Sequence, residues 1–454
     1  LALTWIASMP GATRLGASPV HGEPPGVRDA PGWELLAATN VAPFSLDLTE
    51  AAMNSLREQP RAWTRATLRL GDEIFRDVGV HIKGSEGSLQ PIDRRPSLTV
   101  SINKFVPGRK LHGLRKIHFN NTAEDPSFMT EILCGAMCRQ AGLPAARSGY
   151  ATLTLNRRKL GLYVLKEGLT KEFLAQYFRH TDGNLYDGGF RRDIDQELER
   201  IGGDGPEDQS DRLALLAAAR EPDPARRWER LRKTLDTDRF ITLLAFSAIT
   251  WNWDGYPMAR NNYRLYHDPE TDRMVFIPHG LDQMFWQPQG SIYPRMNAIV
   301  ATAVLRLPEG RRLYRERLAL LSTNMLQVDA LSRRIDQLTA VIRPYKPHAD
   351  AQAARLKRQI AGRADPNAPQ LDLPDAAAPA GRVRGARPHC RGPAAPDRQR
   401  RRHLGAHRRG LPAVRAGQAP GAQRRAVGAG RPASAADSHA TGRLHRLPER
   451  LAGF

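Results

Sequence analysis

Asp254, Asn262 and Asp282 are the residues of this chain whose types and spacing suit chemistry. Carboxylates and a carboxamide are hard oxygen ligands of the kind that hold magnesium on phosphates. A carboxylate beside a hydroxyl can also take or orient its proton. Phosphoryl transfer needs both. Acids are common in turns, so the same spacing also fits an ordinary surface hairpin. The elements that carry the three groups have to decide between these readings.

Those elements read as a loop and a β-hairpin. Residues 263–267 alternate as a strand, Asp268-Pro269-Glu270-Thr271-Asp272 has turn chemistry, and the apolar run 274–278 fits a second, buried strand. Antiparallel pairing would place Asn262 near Pro278, with Asp282 a few residues on. Asp254 precedes Asn262 by eight residues, in a loop holding Gly255 and Pro257. A loop Asp, an Asn shortly after it and an Asp at the end of a hairpin follow one another in this order in protein kinases. A lone His279 beside Asp282 reads as a packing residue rather than a base.

Residues 251–285 resemble the spore-coat-protein-H (CotH) family, whose pattern is close to N-W-D-x-Y, then N-Y-Y-L-Y, then a hairpin ending I-P-x-D-L-D. The matching residues are Asn252-Trp253-Asp254-Gly255-Tyr256, Asn262-Tyr263-Arg264-Leu265-Tyr266 and Ile277-Pro278-His279-Gly280-Leu281-Asp282. The resemblance runs over about residues 40–345. It includes Asn120-Asn121 with Asp125-Pro126-Ser127-Phe128-Met129, then Ala141-Gly142-Leu143-Pro144-Ala145, Gly161-Leu162-Tyr163, and Asp182-Gly183-Asn184-Leu185-Tyr186.

The family is an atypical, secretory-pathway-like protein kinase. The resemblance therefore implies ATP as donor, Mg2+ or Mn2+ as cofactor, and a protein Ser/Thr hydroxyl as acceptor. It implies Asp254 as the catalytic carboxylate, with Asp282 and Asn262 on the metal. It also implies an α+β, two-lobed protein-kinase-like fold: an antiparallel β-rich N-lobe over 41–167, then a mainly helical C-lobe over 168–347 that carries the catalytic hairpin.

Three further residues are expected at the nucleotide. Lys83 opens Lys83-Gly84-Ser85-Glu86-Gly87-Ser88, where two glycines let backbone amides approach a phosphate; an ordinary hairpin loop has the same composition. Glu167 at a strand end and Lys171 on the next helix would pair and orient the nucleotide, as a lysine–glutamate pair does in kinases, the plainer alternative being a surface ion pair. The chain departs from the family at Ser85-Glu86-Gly87, in place of Asn-Ser-Ser, and at Thr170, in place of Asp. These departures leave room for a surface or matrix binding protein that has lost transfer activity; two acids on magnesium would also suit a water nucleophile, as in a metal-dependent phosphoester hydrolase.

Composition sets the frame. The net charge is +21, but residues 365–454 hold 17 Arg and six acids and so supply +11 of it, leaving +10 for residues 1–364. That C-terminal stretch has no Ile, Met, Trp or Tyr and no periodicity. It reads as a disordered or frame-shifted Arg/Ala/Gly/Pro-rich tail after the end of a helix, so the overall basicity does not argue for a nucleic-acid partner. Residues 1–40 read as a linker or a truncated export segment, which would suit a secreted or surface protein. Three cysteines make no disulfide framework, and Cys134 and Cys138 read as buried apolar filler. No run of eighteen apolar residues predicts a membrane span. Helices are expected at 47–59, 126–141, 209–220, 224–234, 237–250, 297–306, 309–325 and 329–343, and a mobile acidic segment at 187–211.

Overall fold

The computed structural model describes residues 26–85 and 87–365. The expectations for residues 1–25, Glu86, Cys390 and the arginine-rich tail lie outside them. Seven strands form one closed barrel: β1 (Val41–Asp47), β2 (Thr64–Leu70), β3 (Glu73–Lys83), β4 (Ser97–Ser101), β5 (Lys116–Asn120), β6 (Ser148–Leu155) and β7 (Arg158–Glu167), in the order β1-β2-β3-β4-β5-β7-β6. The other pairs are antiparallel, but β1 closes the barrel by running parallel to β6, from Val41 opposite Tyr150 to Leu46 opposite Leu155.

This corrects the expectation of a two-lobed protein-kinase-like fold with an antiparallel β-rich N-lobe. The correction turns on β1. Pro43 in its middle weakens the strand signal in the sequence, yet Ala42, Phe44 and Leu46 alternate into the barrel core. With β1 hydrogen-bonded on both sides the sheet has no edge left to expose, so it closes.

Alternation does the rest of the work in the barrel. Ile82, Leu98, Val100, Ile117, Phe119, Tyr163 and Leu165 fill the interior. The residues between them point outward and form a rung across four strands: His81 opposite Thr99, Thr99 opposite His118, and His118 opposite Lys166. Helix α1 (Trp33–Leu36) leans on β6 and β7, and α2 (Glu50–Glu58) starts at Thr49, whose hydroxyl accepts from Ala52 N at 3.2 Å. Helix α3 (Thr130–Gln140) begins where Asp125 accepts from Thr130 N at 2.9 Å. It buries Ile132, Leu133 and Met137 in one core with Tyr150, Leu162 and Val164 of the barrel wall.

The second part is not purely helical. After α4 (Lys171–Leu174), β8 (Leu185–Asp187) and β9 (Glu199–Gly202) precede α5 (Ser210–Arg220), α6 (Pro224–Thr234), α7 (Thr237–Ile249) and α8 (Tyr256–Ala259). The hairpin of β10 (Tyr263–Asp268) and β11 (Arg273–Pro278) then joins them in a four-stranded sheet, β11-β10-β8-β9. The segment expected to be mobile is thus partly strand: Asp187 pairs with Glu199, Asp204 holds Lys171, and Asp208 accepts from Ser210 N at 3.0 Å at the start of α5.

Helices α9 (Ile299–Leu305), α10 (Pro308–Met325), α11 (Val328–Ile342) and α12 (Ala349–Arg363) complete the chain. α7 is buried along its length from Phe240, as a helix apolar on all sides must be, and it carries the chain to Trp251. α12 was not expected. Its last residue, Arg363, reaches the C-terminal carbonyls of α7 at Ala248 and Ile249 and also the carbonyl of Gly290. Among the described residues no helix is long and apolar enough to cross a membrane.

Candidate active site

The hairpin register runs from Tyr263 opposite Pro278 to Asp268 opposite Arg273. One step beyond it, His279 N donates to Asn262 O at 2.9 Å, so Asn262 stands at the open end with Asp282 three residues past its partner. Asn262 is in the left-handed region, φ +50°, which asparagine tolerates better than most side chains. Its Nδ2 donates to Asp254 Oδ2 at 2.7 Å and to the Asp254 carbonyl at 3.2 Å. Asn261 Nδ2 donates to both Asp254 oxygens at 3.1 and 3.2 Å. Two amides therefore pin Asp254. Burial lifts its pKa, and the two amides oppose the shift.

Two glycines keep this corner open. A Cβ on Gly255 would lie 2.4 Å from Asn252 Nδ2, and one on Gly280, at φ +60°, would lie 2.8 Å from Asn262 Oδ1. With Nδ2 spent on Asp254, Asn262 Oδ1 is the oxygen left beside that space.

Asp282 is half-buried and makes no hydrogen bond among the described residues. Burial, then repulsion from Glu131, Asp125 and Glu124, raises its pKa to about 7 against the pull of Lys166. Glu124 feels Asp254 as well as burial, and its pKa is also raised. The glycine loop leans on it, since a Cβ on Gly87 would lie 2.5 Å from Glu124 Oε1. Asp254, Glu124 and Asp282 thus share one acidic field. Among the described residues no three His, Cys, Asp or Glu side chains form a metal cage. A carboxylate, Asp282, and an amide oxygen, Asn262 Oδ1, beside an excess of negative charge fit magnesium, which takes few protein ligands and fills its shell with phosphate oxygens.

The opposite wall is basic. Lys166 and Glu131, almost fully buried, form an ion pair between β7 and α3. Glu131 Oε2 also accepts from Leu281 N at 2.9 Å, which ties the pair to the residue before Asp282. Lys83 Nζ donates to Asn120 Oδ1 at 2.5 Å, and burial, then the charge of Lys166, lowers its pKa to about 7. His118 is held well below its ordinary range by burial and by Lys83, Lys116 and Lys166. His279 is held neutral in the same way, by burial and then Lys166 and Arg264. Lys83, Lys116 and Lys166 crowd this wall, with Glu131 compensating Lys166, and such a cluster suits a polyphosphate.

The expected pairing of Glu167 with Lys171 does not form. Neighbours on a strand face opposite sides, so Glu167 points away from Lys166. Glu167 accepts from Arg147 Nη2 at 2.6 Å, Arg147 Nε at 3.0 Å and Gln176 Nε2 at 2.7 Å. Arg147 in turn reaches the carbonyls of Ala30 at 3.1 Å and Pro31 at 2.7 Å, and the cluster fastens the N-terminal segment to the barrel. Lys171 makes an exposed ion pair with Asp204 at 3.2 Å. The lysine and glutamate that do meet beside Asp282 are Lys166 and Glu131. Sequence reasoning missed them, although each is a charged residue set in an apolar run.

A family model described as CotH kinase protein matches residues 80–365, and the chain belongs to this family. Among solved structures, the Helicobacter pylori proinflammatory kinase CtkA is similar at 12% sequence identity and a TM-score of 0.28, over 61% of this chain and 95% of that one. A search of the curated proteins gives no match.

Proposed function

We propose that this protein transfers the γ-phosphoryl group of ATP to a serine or threonine hydroxyl of a protein substrate, with magnesium at Asp282. The observation that carries the reading is the meeting, around one acidic field, of the Lys166–Glu131 pair, Asp282, and Asp254 pinned by Asn262. Membership in a kinase family supports it.

Each residue then has a task. Lys166, oriented by Glu131, and Lys83 draw in the phosphates. Asp282 and Asn262 Oδ1 hold magnesium, which when bound neutralises charge on the phosphates. Asp254 orients the acceptor hydroxyl and takes its proton while the oxygen–phosphorus bond forms and the bond to the ADP oxygen breaks. A carboxylate lifted by burial is a better proton acceptor than a solvated one.

The test uses ATP labelled at the γ-phosphate, with magnesium or manganese, on the full chain and on Asp254→Ala and Asp282→Ala. Label on protein that vanishes in both variants supports the proposal. Release of inorganic phosphate without labelled protein would instead indicate a metal-dependent phosphoester hydrolase. Partner binding that ignores both substitutions, with no label, would indicate a binding protein.

A further inference from the structure

Two tryptophans flank the proposed proton acceptor. Trp253 precedes Asp254 directly, and its ring lies 6.0 Å from that of Trp286, tilted by 46°. Trp286 is 58% exposed, the highest value among the exposed large hydrophobic residues described. An indole held at the surface beside a catalytic carboxylate gains nothing from water, and aromatic anchors of this kind dominate binding surfaces. The backbone holds it there: Phe285 N donates to Thr250 O at 2.7 Å, linking the loop of Trp286 to the chain entering Trp253.

The same rim is cationic. Arg191 is exposed, its guanidinium lies 5.2 Å from the Phe190 ring, and its charge acts on Asp254. The Arg191 loop is held in place because Tyr263 Oη donates to the Arg192 carbonyl at 3.2 Å. Arg260, also exposed, directly precedes Asn261, one of the amides that pin Asp254. Arg295 is exposed in a loop that rests on α8, through Asn297 N donating to Pro257 O at 2.8 Å. Among the described residues none of these three arginines makes an ion pair. Glu124 feels the charge of Asp254 and itself acts on Asp282.

We propose that the Trp253–Trp286 pair and Arg191, Arg260 and Arg295 form the docking surface for the acceptor segment of the protein substrate, selecting acidic residues and one large apolar side chain beside the hydroxyl. This rests on the reading of Asp254 as the group that meets that hydroxyl. The charge of the rim disfavours basic segments.

The test measures binding of fluorescent peptides to the full chain by anisotropy, without ATP. One peptide carries Ser beside Phe among Asp and Glu, a second replaces the acids by Lys, and a third replaces Phe by Ala. The acidic Phe peptide is expected to bind at least about tenfold more tightly than either other. Trp286→Ala should remove the advantage of Phe, Arg191→Glu should remove the advantage of the acids, and neither should change nucleotide affinity. Where transfer occurs, Trp286→Ala raises KM with little change in kcat, whereas Arg191→Glu, whose charge acts on Asp254, is read by binding alone. Equal or tighter binding of the lysine peptide, or a Phe advantage that survives Trp286→Ala, overturns the proposal. Binding as expected with no phosphate on any peptide would sink the transfer reading and leave the docking surface standing.

Discussion

Replacing Lys166 by Met and, separately, Glu167 by Gln perturbs two adjacent residues that serve different parts of the molecule. Both sit in buried ion pairs: the side chains of Lys166 and Glu131 are 2% and 3% exposed, and those of Arg147 and Glu167 are each 1% exposed. Removing one partner of such a pair leaves a charge without compensation, which costs about 3–5 kcal/mol, or a fall in Tm of roughly 10 °C for a chain of this size. The loss should be similar for the two variants. Activity should separate them. Glu167→Gln unfastens the N-terminal segment but leaves the wall of Lys166, Lys83 and His118 in place, so at a temperature where it is folded it should keep most of its phosphate transfer. Lys166→Met leaves Glu131 and Asp282 repelling each other with only Lys83 to compensate, and transfer should fall by at least about a hundredfold. Thermal denaturation and labelled-ATP transfer at 15 °C read both effects. Full activity in folded Lys166→Met, or its loss in folded Glu167→Gln, would refute the assignment of the pair.

Four other outcomes follow from the same geometry. With its pKa near 7, Asp282 must lose a proton to take a cation, so magnesium or manganese affinity should weaken about tenfold per pH unit below about 7 and level off above it, as calorimetry at pH 6, 7 and 8 would read. Because the fold favours protonated Asp282, the wild type loses stability as pH rises from about 3.8 to about 7; Asp282→Asn should escape that loss and be the more stable protein at pH 8 in denaturant titrations. Asn262→Gly suits the positive φ, so it should stay folded within about 1 kcal/mol of wild type while losing most transfer activity, since the amide that pins Asp254 and the oxygen for the cation go together. Arg363→Ala strips the donors from the last carbonyls of α7 and should cost about 2–4 kcal/mol in chemical denaturation, loosening the loop that presents Asp254.

What the sequence determined by itself was local. Alternation and turn residues announced the hairpin, and the order Asp254, Asn262, Asp282 followed from spacing and from resemblance to the CotH family. Helices such as α5, α6 and α7 were legible because periodicity and caps, among them Asp223 and Asp236, are written in neighbouring residues. Tertiary structure decided everything that depends on which strand lies beside which. The parallel contact of β1 with β6 joins residues more than a hundred positions apart, and no local pattern encodes it. The choice between Lys166 and Glu167 was a matter of strand parity: one residue's difference in register turns a side chain from the core of the fastening cluster to the wall of the site. Glu131 joined that wall because α3 packs on β6, the strand beside β7, a contact set by apolar residues that say nothing about charge. Chemistry-bearing residue types were visible in one dimension, but their partners were fixed only when the barrel closed and the hairpin met it.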